Sequence, residues 1–453
     1  MKPKHKLIRI WLLCAAVLPG VTSGAQPVTR IAAGEMHSLF LKGDGSLWTM
    51  GRNEEGELGD RTYSNTNRPE QILTCDVTAI AAGGSHNLFL KSDGSLWAMG
   101  DNAFNQLGDG SYNTYTNRPE QIVPGGVTAI AAGCLHSLFL KSDGSLWGMG
   151  GNCWGELGDG TYCAGTNRPK QSLASGVTAI AGGWGYSLFL KSDGSLWVTG
   201  YNAYGDLGDG TTNKTNLPEQ IVASNVTAIA AGVRSYHSLF LKSDGSLWAM
   251  GGNDYGQLGD GTFNNTNQPE QIVASGVTAI AAGEAHSLFL KSDGSLWAMG
   301  LNVSGQLGDG TYSNTNQPEQ IVAGGVTAIA AGKLHSLFLK SDGSLWGMGY
   351  NTYGQLGDGT TDNGHYKTNR PEQIVAGPPG YNRISTRLLS GGDVRLSYVG
   401  IAGTNYALDR RFTLSPANWV PQVTNPADAN GVIMLTNTLD PTTNNCWRIR
   451  SVP

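Results

Sequence analysis

Apolar and polar residues alternate along this chain in short runs, and the runs come in sets of four that recur seven times. The units begin at Val28, Val77, Val127, Val177, Val226, Val277 and Val326 and span 49–51 residues. P-E-Q-I-V or a close variant opens every set but the first, with proline near its start, where a strand tolerates it. V-T-A-I-A-A, H-S-L-F-L-K and S-L-W-x-M-G follow. All four are short, apolar or β-branched, and bounded by Gly, Asn and Asp, which predicts strands. Ser-Asp-Gly joins the last two, a strong hairpin signal because both central residues accept tight-turn angles. No helical periodicity of useful length occurs within the repeat.

A repeat at this spacing fixes the fold before any single residue is read. Four antiparallel strands per unit and seven units predict an all-β protein, a seven-bladed β-propeller over residues 26–376. Tryptophans such as Trp297 are expected to fill space between neighbouring sheets. The first unit, Val28 to Gly59, lacks a preceding P-E-Q-I run, whereas Pro371 to Val375 follows the last. That terminal run is therefore expected to pair beside Val28–Ala33 and complete the first blade.

The motif G-x-x-H-S-L-F-L-K-S-D-G-S-L-W followed by G-x-N-x-x-G-Q-L-G resembles the regulator of chromosome condensation repeat family. The resemblance covers residues 28–375 and implies a sevenfold propeller. It also implies, as one alternative, a regulator promoting nucleotide exchange on a small GTPase. Kelch repeats have a similar period, but their double glycine is absent here. Departures are few: Tyr186 replaces a histidine, an extra residue falls around Arg234–Tyr236, and Arg61 breaks the first L-G-D-G.

The turns between units differ in variability. The Ser-Asp-Gly turn is constant in six units, while the turn after V-T-A-I-A-A-G changes freely: Glu35-Met36, Gly84-Ser85, Cys134-Leu135, Trp184-Gly185, Arg234-Ser235-Tyr236, Glu284-Ala285, Lys333-Leu334. The long loop after S-L-W-x-M-G varies too, at Arg52, Asp101, Tyr201, Leu301 and Tyr350. Both variable sets are expected on one face, where a rigid scaffold carries recognition. Phe104, Trp154, Tyr204, Tyr255 and Tyr353 share one repeat position, which favours packing of the loop onto its own blade. The irregular residues Trp184, Arg234, Tyr236, Tyr201 and Tyr350 are the better candidates for recognition.

His37, His86, His136, His237, His286 and His335 also share one position. They are read as structural groups, each ordering its glycine-rich turn within its own blade rather than sharing a metal. The aspartates of L-G-D-G (Asp109, Asp159, Asp209, Asp260, Asp309, Asp358) lack calcium-loop spacing and are read as turn formers. No catalytic constellation, phosphate loop, cofactor site or metal site stands out from the repeat background. The expected function is thus a non-catalytic interaction scaffold for a protein or glycan. A lyase or hydrolase built on the central channel is a further alternative.

Charge and targeting narrow the setting. Residues 1–25 carry four basic side chains, a short apolar run and Ser23-Gly24-Ala25, the pattern of a signal peptide. The run is too short for a membrane span, so export to the exterior or the cell surface is expected. Without that segment the formal charge of −5 becomes −9, and the seven Arg and four Asp of residues 381–453 leave −12 on the propeller. That sign disfavours nucleic acid. Five cysteines remain, and a bridge between two of Cys134, Cys153 and Cys163 suits an oxidising compartment. Gly377-Pro378-Pro379-Gly380 reads as a linker. Residues 381–453 read as a small β-sandwich-like domain, similar to C-terminal modules of large secreted proteins of environmental bacteria.

Overall fold

The computed structural model describes residues 26–362, 368–379 and 381, and the segments 384–388, 393–401, 405–411, 420–426, 432–438 and 446–452. The expected signal peptide lies outside them. In the first blade β1 (Val28–Ala33), β2 (His37–Lys42), β3 (Leu47–Gly51) and β4 (Thr66–Leu73) pair antiparallel in chain order. The same four-stranded sheet recurs six times, giving a seven-bladed propeller with no helix among the described residues. Among the described residues, no helix is long and apolar enough to cross a membrane.

The V-T-A-I-A-A strands are innermost. They approach one another around the ring, β1 against Val77–Ala82 and against Val326–Ala331. Seven strands converging on an axis leave room only for small side chains, hence Ala and Gly at their ends. Thr66–Leu73 and its equivalents form the polar outer rim, half-buried or exposed along their length.

The core lies in the seams between blades. At the first seam Leu39, Leu41 and Leu47 of blade 1 meet Val77, Ala82, Phe89 and Met99 of blade 2. The other seams repeat that set, except that blade 4 brings Thr199 and Gly182 in place of Met and Ala to the third. The tryptophans lie half-buried against these clusters, as expected. Trp48 stacks on Phe40 at 6.0 Å, and the Lys42 ammonium sits 3.8 Å from its ring centroid.

Closure differs from the sequence expectation. Thr368–Val375 does not pair with Val28–Ala33; it pairs with Leu345–Gly349 as the outer strand of blade 7. Each P-E-Q-I-V run thus ends the blade before it rather than opening the next. The physical reason is the crowded axis, which admits Ala-rich strands and excludes Glu, Gln and Pro. No strand is exchanged, and the ring closes by packing: Val28, Ala33, Phe40 and Met50 against Leu337, Leu339, Leu345 and Leu356. Val28 N–H donates to Gly343 O at 3.0 Å, the bond Val77 makes to Gly45 at 3.1 Å. The closing seam therefore copies a linked one. At Gly45 the turn requires a positive φ of 75°, which glycine adopts without strain.

Beyond the propeller, Pro378 O accepts from Tyr381 N–H at 3.0 Å, so the linker turns tightly. Six strands follow. Ile384–Leu388, Asp393–Val399 and Val432–Thr438 form one three-stranded sheet; Val420–Pro426, Asn405–Arg411 and Cys446–Val452 form another.

Candidate functional site

Strand direction puts the Gly-x-x-His turns and the long loops after the third strands on one face, and the Ser-Asp-Gly turns on the other. The Gly-x-x-His turns meet around the axis: Glu35 N–H donates to Gly83 O, Gly84 N–H to Gly133 O and Cys134 N–H to Gly183 O, at 3.0–3.3 Å. The two variable sets thus share a rim around the mouth of the channel.

The long loops are held from within. Asn102 Oδ1 accepts from Leu107 N–H, and its amide donates to Asp109 Oδ1 at 3.3 Å. Asp109 also accepts from Ser111 N–H at 2.8 Å. Equivalent bonds recur at Asp159, Asp209, Asp260, Asp309 and Asp358, which gives these carboxylates a turn-forming role. Two residues before each Leu-rich turn, a backbone N–H is accepted by a buried Gln, Glu or Asp: Gln106, Glu156 and Asp206 in blades 2 to 4. Burial lifts the carboxyls of Glu57 and Asp206 to about 7.

The histidines reach across the seams to the next blade, a correction to the sequence reading of bonds within their own turns, although His237 also meets Ser235 of its own turn at 2.8 Å. Ser137 donates to Gln106 O at 2.7 Å, so it accepts from His86 Nε2 at 2.9 Å, across to the next blade. His136, His237, His286 and His335 reach serines and His37 reaches Asn87, all at 2.8–3.0 Å. Gly34 is obligatory beside them, since any side chain there would overlap the His37 ring. Tyr186 serves the fourth seam: its hydroxyl donates to His237 O at 2.7 Å. Burial holds the six imidazoles down at about 3 to 4.

Five candidate aromatics form a continuous arc over blades 3 to 5. Trp184 lies 5.8 Å from Trp154, 5.1 Å from Tyr201 and 5.4 Å from Tyr236. Tyr201 meets Trp154 edge-on at 5.0 Å, and Tyr204 lies 4.9 Å from Tyr236. Lys214 reaches over Trp154 at 4.9 Å. The remaining candidates are not gathered into the arc: Phe104 projects 49% exposed from blade 2, Tyr255 stands beyond Tyr236 on blade 5, and Tyr350 and Tyr353 lie half-buried on blade 7. Of the residues sharing one repeat position, Trp154 and Tyr204 pack onto neighbours, whereas Phe104 and Tyr255 protrude.

Arg234 is not part of the arc but of an ion cluster at the mouth. Buried Glu35 of blade 1 accepts from Arg234 of blade 5 at 2.8 Å and Lys333 of blade 7 at 3.1 Å. Half-buried Glu284 joins them; burial raises its carboxyl, against the pull of Lys333 and Arg234. Cys134 is buried beside this cluster, its thiol pushed up to about 12 by burial. Sequence reading had placed Glu35, Glu284 and Lys333 among variable turn residues without singling them out. Their clue was complementary charge at one repeat position in blades that only a closed ring brings together. On the blade 1 loop beside the Glu35-Met36 turn, Arg52 pairs with Glu54 and Glu55 at 3.0 Å and Glu57 at 3.7 Å, and burial together with Glu55 raises the Asp101 carboxyl of blade 2. Cys153 and Cys163 lie side by side and exposed on the blade 3 loop, where the Cys163 contact raises the Cys153 thiol. Among the described residues, no three or more His, Cys, Asp or Glu side chains are gathered as a metal site.

The fold and the repeated seam define a seven-bladed propeller of tandem four-stranded units. The chain belongs to the RCC1-like domain family, whose model matches residues 13–322 and again 126–387. Solved structures share the fold. Human WBSCR16 is 24% identical with a TM-score of 0.62, over 70% of this chain and 87% of its own. Prp20p from Saccharomyces cerevisiae, described with its binding to Gsp1p and histones, is 22% identical with a TM-score of 0.63, over 77% and 87%. The same yeast protein bound to Kap60 is 21% identical with a TM-score of 0.63, over 82% and 91%. Among curated protein sequences none matches.

Proposed function

We propose that this chain is an exported, non-catalytic recognition scaffold that binds a protein or glycan through the loop face. The observation carrying this reading is the aromatic arc Trp154–Trp184–Tyr201–Tyr204–Tyr236, five half-exposed rings spanning three blades. Such rings bury much area with little loss of side-chain freedom, and they lie flat against sugars or peptide segments. Buried Glu57 and Asp206, whose carboxyls are raised, each accept a loop N–H in their own blades, which supports a structural duty for them. Prp20p, with the same fold, binds Gsp1p and histones, which supports a protein partner. A propeller of net charge −12 weighs against nucleic acid.

The test is capture of ligands from extracellular material, alongside a glycan array, by the wild type and by Trp184→Ala and Tyr236→Ala. Each substitution is expected to weaken retention by roughly tenfold or more, as at other aromatic anchors. Retention unchanged in both variants would remove the loop face as the binding surface.

A further inference from the structure

We propose that the cavity between blades 5 and 6 is a recognition pocket for an alkylammonium group. The inference deepens the proposed function and rests on the loop face being its recognition surface. Tyr204, Tyr236 and Tyr255 wall a cavity of about 280 Å³ whose floor is buried Ala285 and Leu301. Tyr204 and Tyr255 are 37% and 44% exposed, so the cavity opens to solvent between rings. The Tyr204 and Tyr236 rings lie 4.9 Å apart and are tilted by 51° rather than stacked. Three aromatic faces around an apolar floor attract a cation through their ring quadrupoles and shelter its methyl or methylene groups.

The charges have the matching sign. Asp254 and Glu284 are the charged side chains lining the cavity. Lys333 and Arg234 face Glu284 from the channel side, but both are also held by Glu35, at 3.1 and 2.8 Å. Those four charges balance, and Asp254 has no ion pair with a described residue. A second observation stands behind the Tyr236 wall. Asp206 is fully buried, acts electrostatically on Tyr201 and Tyr236, and leaves Oδ1 without a hydrogen-bond partner. Blades 2, 5, 6 and 7 carry neutral Gln at that position: Gln106, Gln257, Gln306 and Gln355. Blades 1 and 3 carry acids there, Glu57 and Glu156, and Asp206 is the one that acts on the Tyr236 wall.

Two sources supply an alkylammonium: the lysyl side chain of a protein partner, methylated or not, and a free quaternary amine of the choline type. Calorimetric titration of the full chain separates them, using Nα-acetyl-lysine amide, its trimethylated form, choline, and the neutral choline isostere 3,3-dimethylbutanol. Saturable binding of at least one cation is expected, with the neutral isostere at least fivefold weaker. Tyr255→Ala and Glu284→Gln are expected to weaken the cation by roughly fivefold or more. Tyr112→Ala, at a site 85% exposed on the blade 2 loop and outside both the cavity and the arc, is expected to leave it unchanged, and thermal melting checks that each variant is folded. Tighter binding of a lysyl amide assigns the pocket to a protein side chain; tighter binding of choline assigns it to a free amine. No saturable cation binding, or equal binding of the neutral isostere, overturns the pocket. That failure is distinguishable from failure of the loop-face reading, which is decided by Trp184→Ala in the capture experiment.

Discussion

At the scale of residues, the ring is held by one polar relay used at six of the seven seams, with Tyr186 taking the histidine's place at the fourth. A serine or asparagine gives its proton to a loop carbonyl and thereby takes one from the preceding blade's imidazole. The neutral Nε2–H form is the one that fits. Nδ1 of His86, His136, His286 and His335 is buried without a partner, so a second proton there has no acceptor and no solvent. The folded values of about 3 to 4 lie below the ordinary 6.5 of an unfolded chain. The unfolded chain therefore binds more protons, and this contribution is full above about pH 6.5 and lost as pH falls toward 4. Glu57 and Asp206, raised to about 7, act oppositely, favouring the folded state below their ordinary range and losing that contribution as pH rises through 7. Glu70, Asp101, Glu156, Glu284 and Glu372 are raised too and act with them, but the six imidazoles are all fully buried and set the sign between pH 6.5 and 4. Urea midpoints measured from pH 7.5 down to 4 are expected to fall steeply below 6.5; a flat profile would refute the buried relay. The histidines were legible as structural from their recurrence, but their partners were not, because the acceptor lies about fifty residues away in a blade that folding alone brings close.

At the scale of elements, alternation and turn chemistry predicted the four strands of every unit, but not which blade owned the outer one. P-E-Q-I-V lies between two units and pairs with either on sequence grounds alone. What decides is the axis: small residues in V-T-A-I-A-A mark the inner strand, and polar P-E-Q-I-V has to be outermost. The expected exchange of the last strand into the first blade fails for that reason. Of the three neighbouring cysteines, the blade 3 loop brings Cys153 and Cys163 together at the surface and leaves Cys134 buried elsewhere at the mouth. In an oxidising buffer, peptide mass spectrometry without reduction is expected to find Cys153 linked to Cys163 and Cys134 unmodified. A bridge involving Cys134 would contradict the loop geometry.

At the scale of the whole molecule, seven near-identical seams make a rigid support, and divergence is confined to the connections of one face. Sequence variability among the repeats made that face legible. The arc itself was legible as scattered aromatics, but its continuity was not, since Trp154, Trp184, Tyr201, Tyr204 and Tyr236 come from three blades. The charged mouth was hidden for the same reason: Glu35 meets Arg234 199 residues away and Lys333 298 residues away. The opposite face supplies an internal control, because each repeat also carries a lysine-capped tryptophan beside its Ser-Asp-Gly turn, such as Trp97, Trp147 and Trp297. Hydroxyl-radical footprinting of the full chain, with and without its captured ligand, reads both faces in one experiment. Loss of labelling at Trp154, Trp184, Tyr201, Tyr204 and Tyr236, with Trp97, Trp147 and Trp297 unchanged, is the result expected; protection of the turn-side tryptophans with the arc still fully labelled would contradict it.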